Sequence, residues 1–465
     1  MTDDDKPSRQ TATLHDNTKT PRDVRRARGV ALQASIPLRD HAELRTASER
    51  PDPLELLARD NVGRIPGLIP IRYGRMARTP FTFFRGAASV MASDLSRTTT
   101  TNVPVQLCGD AHILNFGAFS TPERKVVFDL NDFDETLPGS WEWDLKRLAV
   151  SLVLLARDNG MKAGTGQEAA ETATREYRDK MRQYSKMSIL DIWYDQFDWE
   201  NVCEAANERL RKTLQKDLKK AQKHTIASHY FPKLTEKSGG KYLFVDQPPL
   251  IFHDQDEAFE KKMRHAFAQY KESLQEDKQR LLERYTMADV AIKVVGVGSV
   301  GTYCGIALML GPDDEPLILQ IKEARKSVLE LYAGDSEHAT HGERVVAGQR
   351  IIQSASDIFL GWMTVEHKDF YVRQLRDTKV KLAVEDWDET HLKDMALLVG
   401  GVLARAHARS GDPACISAYL GESDEFDTAI GAFAVKYADR TERDWELLTA
   451  AIKSGQIEAV EESTH

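Results

Sequence analysis

A chain of 465 residues with 41% apolar side chains has the material for a sizeable core, arranged as two or three domains or as one large two-lobed enzyme. Its formal charge of −9 argues against nucleic acid as a main partner, because binding a phosphate backbone needs a basic surface. No apolar run approaches the roughly 20 residues that span a bilayer, the acidic N-terminus has no signal-peptide core, and Cys108, Cys203, Cys304 and Cys415 form no Cys-x-x-Cys pair, so a cytoplasmic protein with reduced thiols and no membrane partner is expected.

Residues 1–52 are polar and charged without apolar periodicity, and are expected to be disordered or loosely attached. Order is expected to begin near Pro53 and to be firm from Arg72 to Leu95, where Thr79-Pro80 reads as a helix start. Arg72, Arg75, Arg78, Arg85 and Arg97 give this segment a basic character suited to phosphates, although arginines on helices are commonly solvated or salt-bridged.

The stretch from Val103 to Leu148 gathers carboxylates in one place. Asp110 and Asn115 share a Gly-flanked polar loop, the apolar strand KVVFDL follows, and the strand runs out into Asn131-Asp132-Phe133-Asp134-Glu135. A hard cation such as Mg²⁺ takes carboxylate and amide oxygens and keeps positions open for phosphate and water, so this pattern suits metal-assisted phosphoryl transfer. Turn and helix-cap roles are the alternative for the same residues.

From Leu145 to His224 apolar positions recur every three to four residues, which predicts a run of amphipathic helices. Its basic end, from Arg209 to His224, suits either an anionic substrate or plain solvation. KYLF reads as a strand stopped by Pro248-Pro249, and a charged helix follows. Gly296, Gly298 and Gly301 then form G-x-G-x-x-G, a pattern shared by dinucleotide-binding turns and kinase glycine loops. A dinucleotide turn opens a helix, whereas TYCGIALML, the turn GPDDEP and the alternating LILQIK read as strand, turn and strand.

These segments carry a resemblance. Cys108-Gly109-Asp110-Ala111-His112-Ile113-Leu114-Asn115 resembles the catalytic loop of protein-kinase-like enzymes, especially the aminoglycoside and choline kinase branch, with Cys108 in place of the usual His. Asn131-Asp132-Phe133-Asp134 resembles the metal-binding segment of that branch, Trp143-Asp144-Leu145 the start of its next helix, and Leu403-Ala404-Arg405-Ala406-His407 the helix that precedes its catalytic loop. The resemblance implies Asp110 as catalytic base, Asn115 and Asp132 (or Asp129 or Asp134) as Mg²⁺ ligands, and Asp144 as a buttress under the loop. It further implies that the loop from Gly296 through Gly298 and Ser299 to Gly301, with Lys322, positions the triphosphate of ATP. Glu343 would pair with Lys322, with Glu337 and Glu330 as weaker alternatives, and the backbone of Gln374, Leu375 and Arg376 would hold adenine.

Kinases run glycine loop first and catalytic loop later, whereas this chain reverses the halves, as a circular permutation would. The whole sequence from about Arg78 to Asp439 also resembles the bacterial DUF2252 family, with its FRGAA, LCGDAH, DFDE, VVGVGS and RQLRD segments. The expectation is therefore an α+β, kinase-like two-lobed fold with permuted connectivity. Residues 53–285 would form the helical large-lobe part, 286–380 the small antiparallel nucleotide-binding lobe, 381–453 helices returning to the large lobe, and 454–465 a tail. The expected activity is ATP- and Mg²⁺-dependent phosphotransfer to an unidentified hydroxyl acceptor. A non-catalytic nucleotide-binding module remains open, as does an NAD-dependent enzyme with a ribose-binding acid near Glu323, the latter requiring a helix directly after Gly301.

Overall fold

A computed structural model describes residues 19–44, 50–205, 208, 211–212, 215–216, 218–219, 229–248, 250–253, 257–293, 297–375, 380 and 382–460. Gly296, Arg376 and much of the basic run at 209–224 lie outside the described residues. The fold is mixed α+β, and every strand pairing between named strands is antiparallel.

The first element corrects an expectation. Part of the segment taken as loose is helix α1 (Arg22–Ser35), which packs on a helix near the other end of the chain. Its pattern is too charged to advertise burial, but Gly29 admits a backbone: a Cβ there would lie 2.2 Å from the Cys415 carbonyl oxygen. Arg25 pairs with Asp412 at 2.7 Å, and His41 meets the Tyr419 hydroxyl at 2.6 Å. Helix α2 (Pro80–Gly86) then starts at Thr79, whose side chain and that of Thr82 cap each other's backbone amides, with proline at the first helical position.

Four short strands follow: β1 (Pro104–Leu107), β2 (Phe116–Ser120), β3 (Val126–Leu130) and β4 (Leu137–Ser140), paired as β1 with β4 and β2 with β3. Helix α3 (Glu142–Asp158) is buried on nearly every side, its apolar positions in the core and its Glu142, Asp144 and Arg147 held by polar partners. It packs against α4 (Thr165–Tyr184), and Trp141 stacks on Tyr177 with ring centres 5.5 Å apart.

The next section is sheet. A hairpin, β5 (Thr235–Ser238) and β6 (Lys241–Phe244), precedes β7 (Ile251–Phe252), helix α5 (Glu257–Glu272), β8 (Thr286–Lys293), β9 (Cys304–Leu310) and β10 (Pro316–Ala324). Helix α6 (His341–Ile352), β11 (Gly361–Val365) and β12 (Lys368–Gln374) complete it. The six strands lie in the order β11-β12-β10-β9-β8-β7. Leu319, Ile321, Phe370 and Val372 share a core with Met263 and Tyr270 of α5, so alternation sends their neighbours Gln320, Lys322, Tyr371 and Arg373 to the opposite face.

The chain then returns to the helical body. Helix α7 (Glu389–Ser410) packs against α4, where a Cβ at Gly400 would stand 2.2 Å from the Ala173 carbonyl oxygen. Helix α8 (Pro413–Leu420) receives α1, and α9 (Glu425–Lys453) packs on α3 and α4. No helix among the described residues is long and apolar enough to cross a membrane. The four cysteines are buried free thiols.

Candidate functional site

The polar face of β10 and β12 forms one wall of a cleft of about 570 Å³, within the usual size for a small-molecule site. Gln320, Lys322, Arg373 and Gln374 line it from the sheet; Asn115, Phe116, Asn131 and Asp132 line it from the loops around β2 and β3. Antiparallel register sets Lys322 opposite Tyr371 and Gln320 opposite Arg373. Arg373 donates to the Gln320 side chain at 3.1 Å and to the Asn131 carbonyl at 3.2 Å, tying the walls together. Sequence reading singles out neither Gln320 nor Arg373, although the alternation that carries Lys322 places both.

Lys322 is 4% exposed and its ammonium donates to both oxygens of Asp134, at 2.8 and 3.1 Å, with Asp132 3.8 Å away. The Tyr371 hydroxyl also donates to Asp134, at 2.6 Å. Burial opposes the charge on Lys322, but the carboxylates of Asp132 and Asp134 outweigh it and raise its pKa above the ordinary lysine value.

The expected pair between Lys322 and Glu343 does not form. Glu343 is at the first turn of α6, capped by Thr340, and its carboxylate reaches back to the Ala339 amide at 3.3 Å and lies 3.8 Å from His338. The next residue, Arg344, takes the inward position and donates to the carbonyls of Thr136, Asp134 and Arg325. A helix turns 100° per residue, so the buried face passes from one to the other in a single step. Glu330 is not the partner either; it faces Arg344 and accepts from the Ser327 amide.

Beneath the loop that carries Asp110, Asp144 of α3 accepts from the amides of Cys108 at 2.6 Å and Gly109 at 2.9 Å. His407, fully buried, holds Asp144 at 3.3 Å through Nε2 while its Nδ1 meets the Tyr177 hydroxyl. Gly109 has φ of +87°, and a Cβ there would stand 2.3 Å from the Glu135 carbonyl oxygen, so the loop closes against the acidic segment only with glycine. Asn115 donates to the Asp110 main-chain carbonyl at 2.6 Å, which leaves its amide oxygen as an acceptor beside the cleft.

Asp110 accepts from Arg147 Nε at 2.7 Å, and His112 is 3.8 Å from its other oxygen. Burial pushes its carboxyl above the usual carboxylate value, opposed by the Arg147 guanidinium. It does not line the cleft. Asp129 is consumed elsewhere: it accepts from Arg405 of α7 and from Ser354, which makes it a buried structural carboxylate rather than a metal ligand.

After Gly301 comes strand β9, not a helix, so the geometry of a dinucleotide-binding turn is absent. Glu323 serves that strand's start, accepting from the Tyr303 amide. Ser299 lines the cleft. Gly298 backs onto the Arg85 carbonyl oxygen, 3.2 Å from an added Cβ, and Gly301, at φ +86°, accepts from the Ile65 amide at 2.7 Å. The amides of Gln374 and Leu375 already have partners in Asp357 and the Ile318 carbonyl, so amide contacts to a base are not open there without displacing those bonds.

Arg85, at the end of α2, also lines the cleft. No group of three His, Cys, Asp or Glu side chains among the described residues forms a cage for a metal. Asp132, with its side chain 40% exposed, and the Asn115 amide oxygen border the same cavity, which suits Mg²⁺ held mainly by phosphate and water.

A family described as "Uncharacterized protein conserved in bacteria (DUF2252)" matches residues 64–451. No curated protein and no solved structure matches the chain.

Proposed function

The chain belongs to the DUF2252 family, and on that premise we propose that it is an ATP- and Mg²⁺-dependent phosphotransferase of kinase-like type, working in the cytoplasm on a hydroxyl-bearing acceptor. The observation that carries this reading is the meeting of Lys322 with the Asp132–Asp134 segment across 188 positions of sequence, at a cleft of nucleotide size. Supporting it, the lysine strand is the second strand after the glycine loop, is followed by a helix, and pairs with β12 beyond that helix.

In this reading Lys322 exchanges Asp134 for the phosphates, and Asp132 with Asn115 offers oxygens to the metal. Bound there, Mg²⁺ would supply charge neutralisation of the phosphate oxygens. Asp110 orients the acceptor hydroxyl and takes its proton as the bond from oxygen to the γ-phosphorus forms and the bond to ADP breaks. A second reading, a nucleotide-binding module without turnover, is favoured by one observation: Asp110 is ion-paired to Arg147 and lies off the cleft lining. Mass spectrometry of protein incubated with ATP and Mg²⁺, alone and with cell extract, separates the two. Phosphorylated product or ADP formation supports transfer; binding of ATP without consumption supports the module; neither sinks both.

A further inference from the structure

We propose that Arg85 is a further catalytic residue, a guanidinium supplied by the chain itself to the terminal phosphoryl group of the nucleotide. The inference rests on the phosphotransferase reading and adds to it a group that neither the lysine nor the acidic segment provides.

Arg85 differs from the other interior arginines in having no hydrogen-bond or ion-pair partner among the described residues. Arg64, Arg72, Arg147, Arg344, Arg373 and Arg405 each donate to a named carbonyl or side-chain oxygen. Arg85 lines the cleft, has a buried Nε without a hydrogen-bond partner, and makes no hydrogen bond or ion pair among the described residues. A desolvated guanidinium with unfilled donors is costly, and phosphate is the ligand whose geometry fills its fork.

Its backbone is pinned on both sides. Arg147 grips the Phe84 carbonyl and Arg72 the Gly86 carbonyl, each at 2.8 Å, while the Thr79 and Thr82 capping box fixes the start of the helix. The Arg85 carbonyl itself abuts Gly298 of the glycine loop. Arg85 also lines the same cleft as Ser299 of that loop and Lys322, so phosphates held between those two come within reach of the guanidinium.

Charge completes the argument. Lys322 already faces Asp132 and Asp134, so its cation is balanced before any ligand arrives. Burial lowers the pKa of Arg85, opposed through space by Asp110, Glu385 and Asp132, and the guanidinium is hydrogen-bonded to none of these acids. In the transfer step the equatorial oxygens of the moving phosphoryl carry the charge; Arg85 donates hydrogen bonds to them and gives up neither proton nor electrons. The acceptor's proton goes to Asp110 and the bonding pair of the broken bond leaves with ADP. A preorganised donor of this kind stabilises the transition state more than the ground state.

The test compares the parent with Arg85→Gln and Arg85→Lys in ATP turnover with Mg²⁺, and in binding of inorganic tripolyphosphate by calorimetry. Arg85→Gln should lower kcat on the order of a thousandfold with a much smaller change in KM for ATP, and Arg85→Lys should restore part of it, since it returns charge without the fork. Unliganded melting temperatures monitor folding. If a variant does not fold, phenylglyoxal labelling of the parent mapped by mass spectrometry replaces it: tripolyphosphate should protect Arg85. A parent that turns over ATP while Arg85→Gln keeps its rate, or while Arg85 labels equally with and without tripolyphosphate, overturns the role of Arg85 alone. A parent that neither binds tripolyphosphate nor consumes ATP overturns the phosphotransferase reading and this inference with it.

Discussion

The two walls of the cleft are built by different means. On the sheet side, register does the placing: once β10 pairs with β9 and β12, Gln320, Lys322, Tyr371 and Arg373 can face only one way. On the loop side only the β2–β3 pair is regular, and the rest of the segment from Cys108 to Glu135 is held by buried polar ties from other elements: Asp144, Arg147, Arg344, Ser354 and Arg405. Substitutions in cleft side chains on the sheet wall should therefore change binding and spare the fold. Substitutions in the ties of the loop wall should cost the fold first.

The largest expected effect tests whether the walls divide the chemistry. Asp110→Asn should lower phosphoryl transfer by about a hundredfold to ten-thousandfold while ATP affinity stays, whereas Lys322→Ala should weaken or misplace the nucleotide itself. Calorimetry with ATP and Mg²⁺ alongside turnover reads both, and unchanged turnover in Asp110→Asn would leave the module reading in place. Next comes Asp129→Ala, which strands the fully buried Arg405 without its carboxylate and should destabilise by about 3–5 kcal/mol, measured by urea unfolding.

Glu135 gives a pH signature on the loop wall. Burial pushes its carboxyl up to about 7, opposed by the Val328 amide and Arg344. The folded state thus prefers the neutral acid, so the stabilisation is full below the ordinary value of about 4.5 and is lost as pH rises through the folded value. Between those limits the melting temperature of the parent should fall relative to Glu135→Gln, which stays neutral throughout; parallel curves would remove Glu135 as the cause. Thr79→Ala deletes the cap of α2 and should cost about 1 kcal/mol, with a loss of turnover beyond that if the rigidity of Arg85 matters. Smallest for the fold is Asp132→Ala: a change within about 0.5 kcal/mol in stability, together with loss of Mg²⁺-dependent nucleotide binding. Binding like the parent would shift the metal role to Asp134.

The same division explains what the sequence made legible. The strand that carries Lys322, the strand before it and the helix after Thr340 follow from period and turn signals, and the nearness of Lys322 to the acidic segment is what the kinase resemblance implies. The identity of the lysine's carboxylate does not, because it depends on which residue of α6 turns inward, and Arg344 rather than Glu343 does. Asp129 looks like Asp132 in sequence; only the arrival of Arg405 from α7, 276 positions away, separates a structural acid from an open one. Helix α1 escapes sequence reading because its docking rests on a glycine contact and an ion pair rather than an apolar stripe. Partners distant in sequence leave no local trace.

The return of the chain to its helical body has a consequence for how the protein is made. Helix α4 packs against α7 as well as α3, and α1 against α8, so both α1 and α4 have a partner beyond residue 388. Between them the ribosome must deliver the whole six-stranded sheet, whose own pairings lie within residues 251–374. Vectorial synthesis therefore favours an order in which the sheet matures first while the faces of α3 and α4 that α7 and α9 will cover wait uncovered, and long-range closure of this kind is slow. Truncation before α7, which begins at Glu389, should leave an aggregation-prone product, and demand for a holding chaperone should peak in that interval of translation rather than after release.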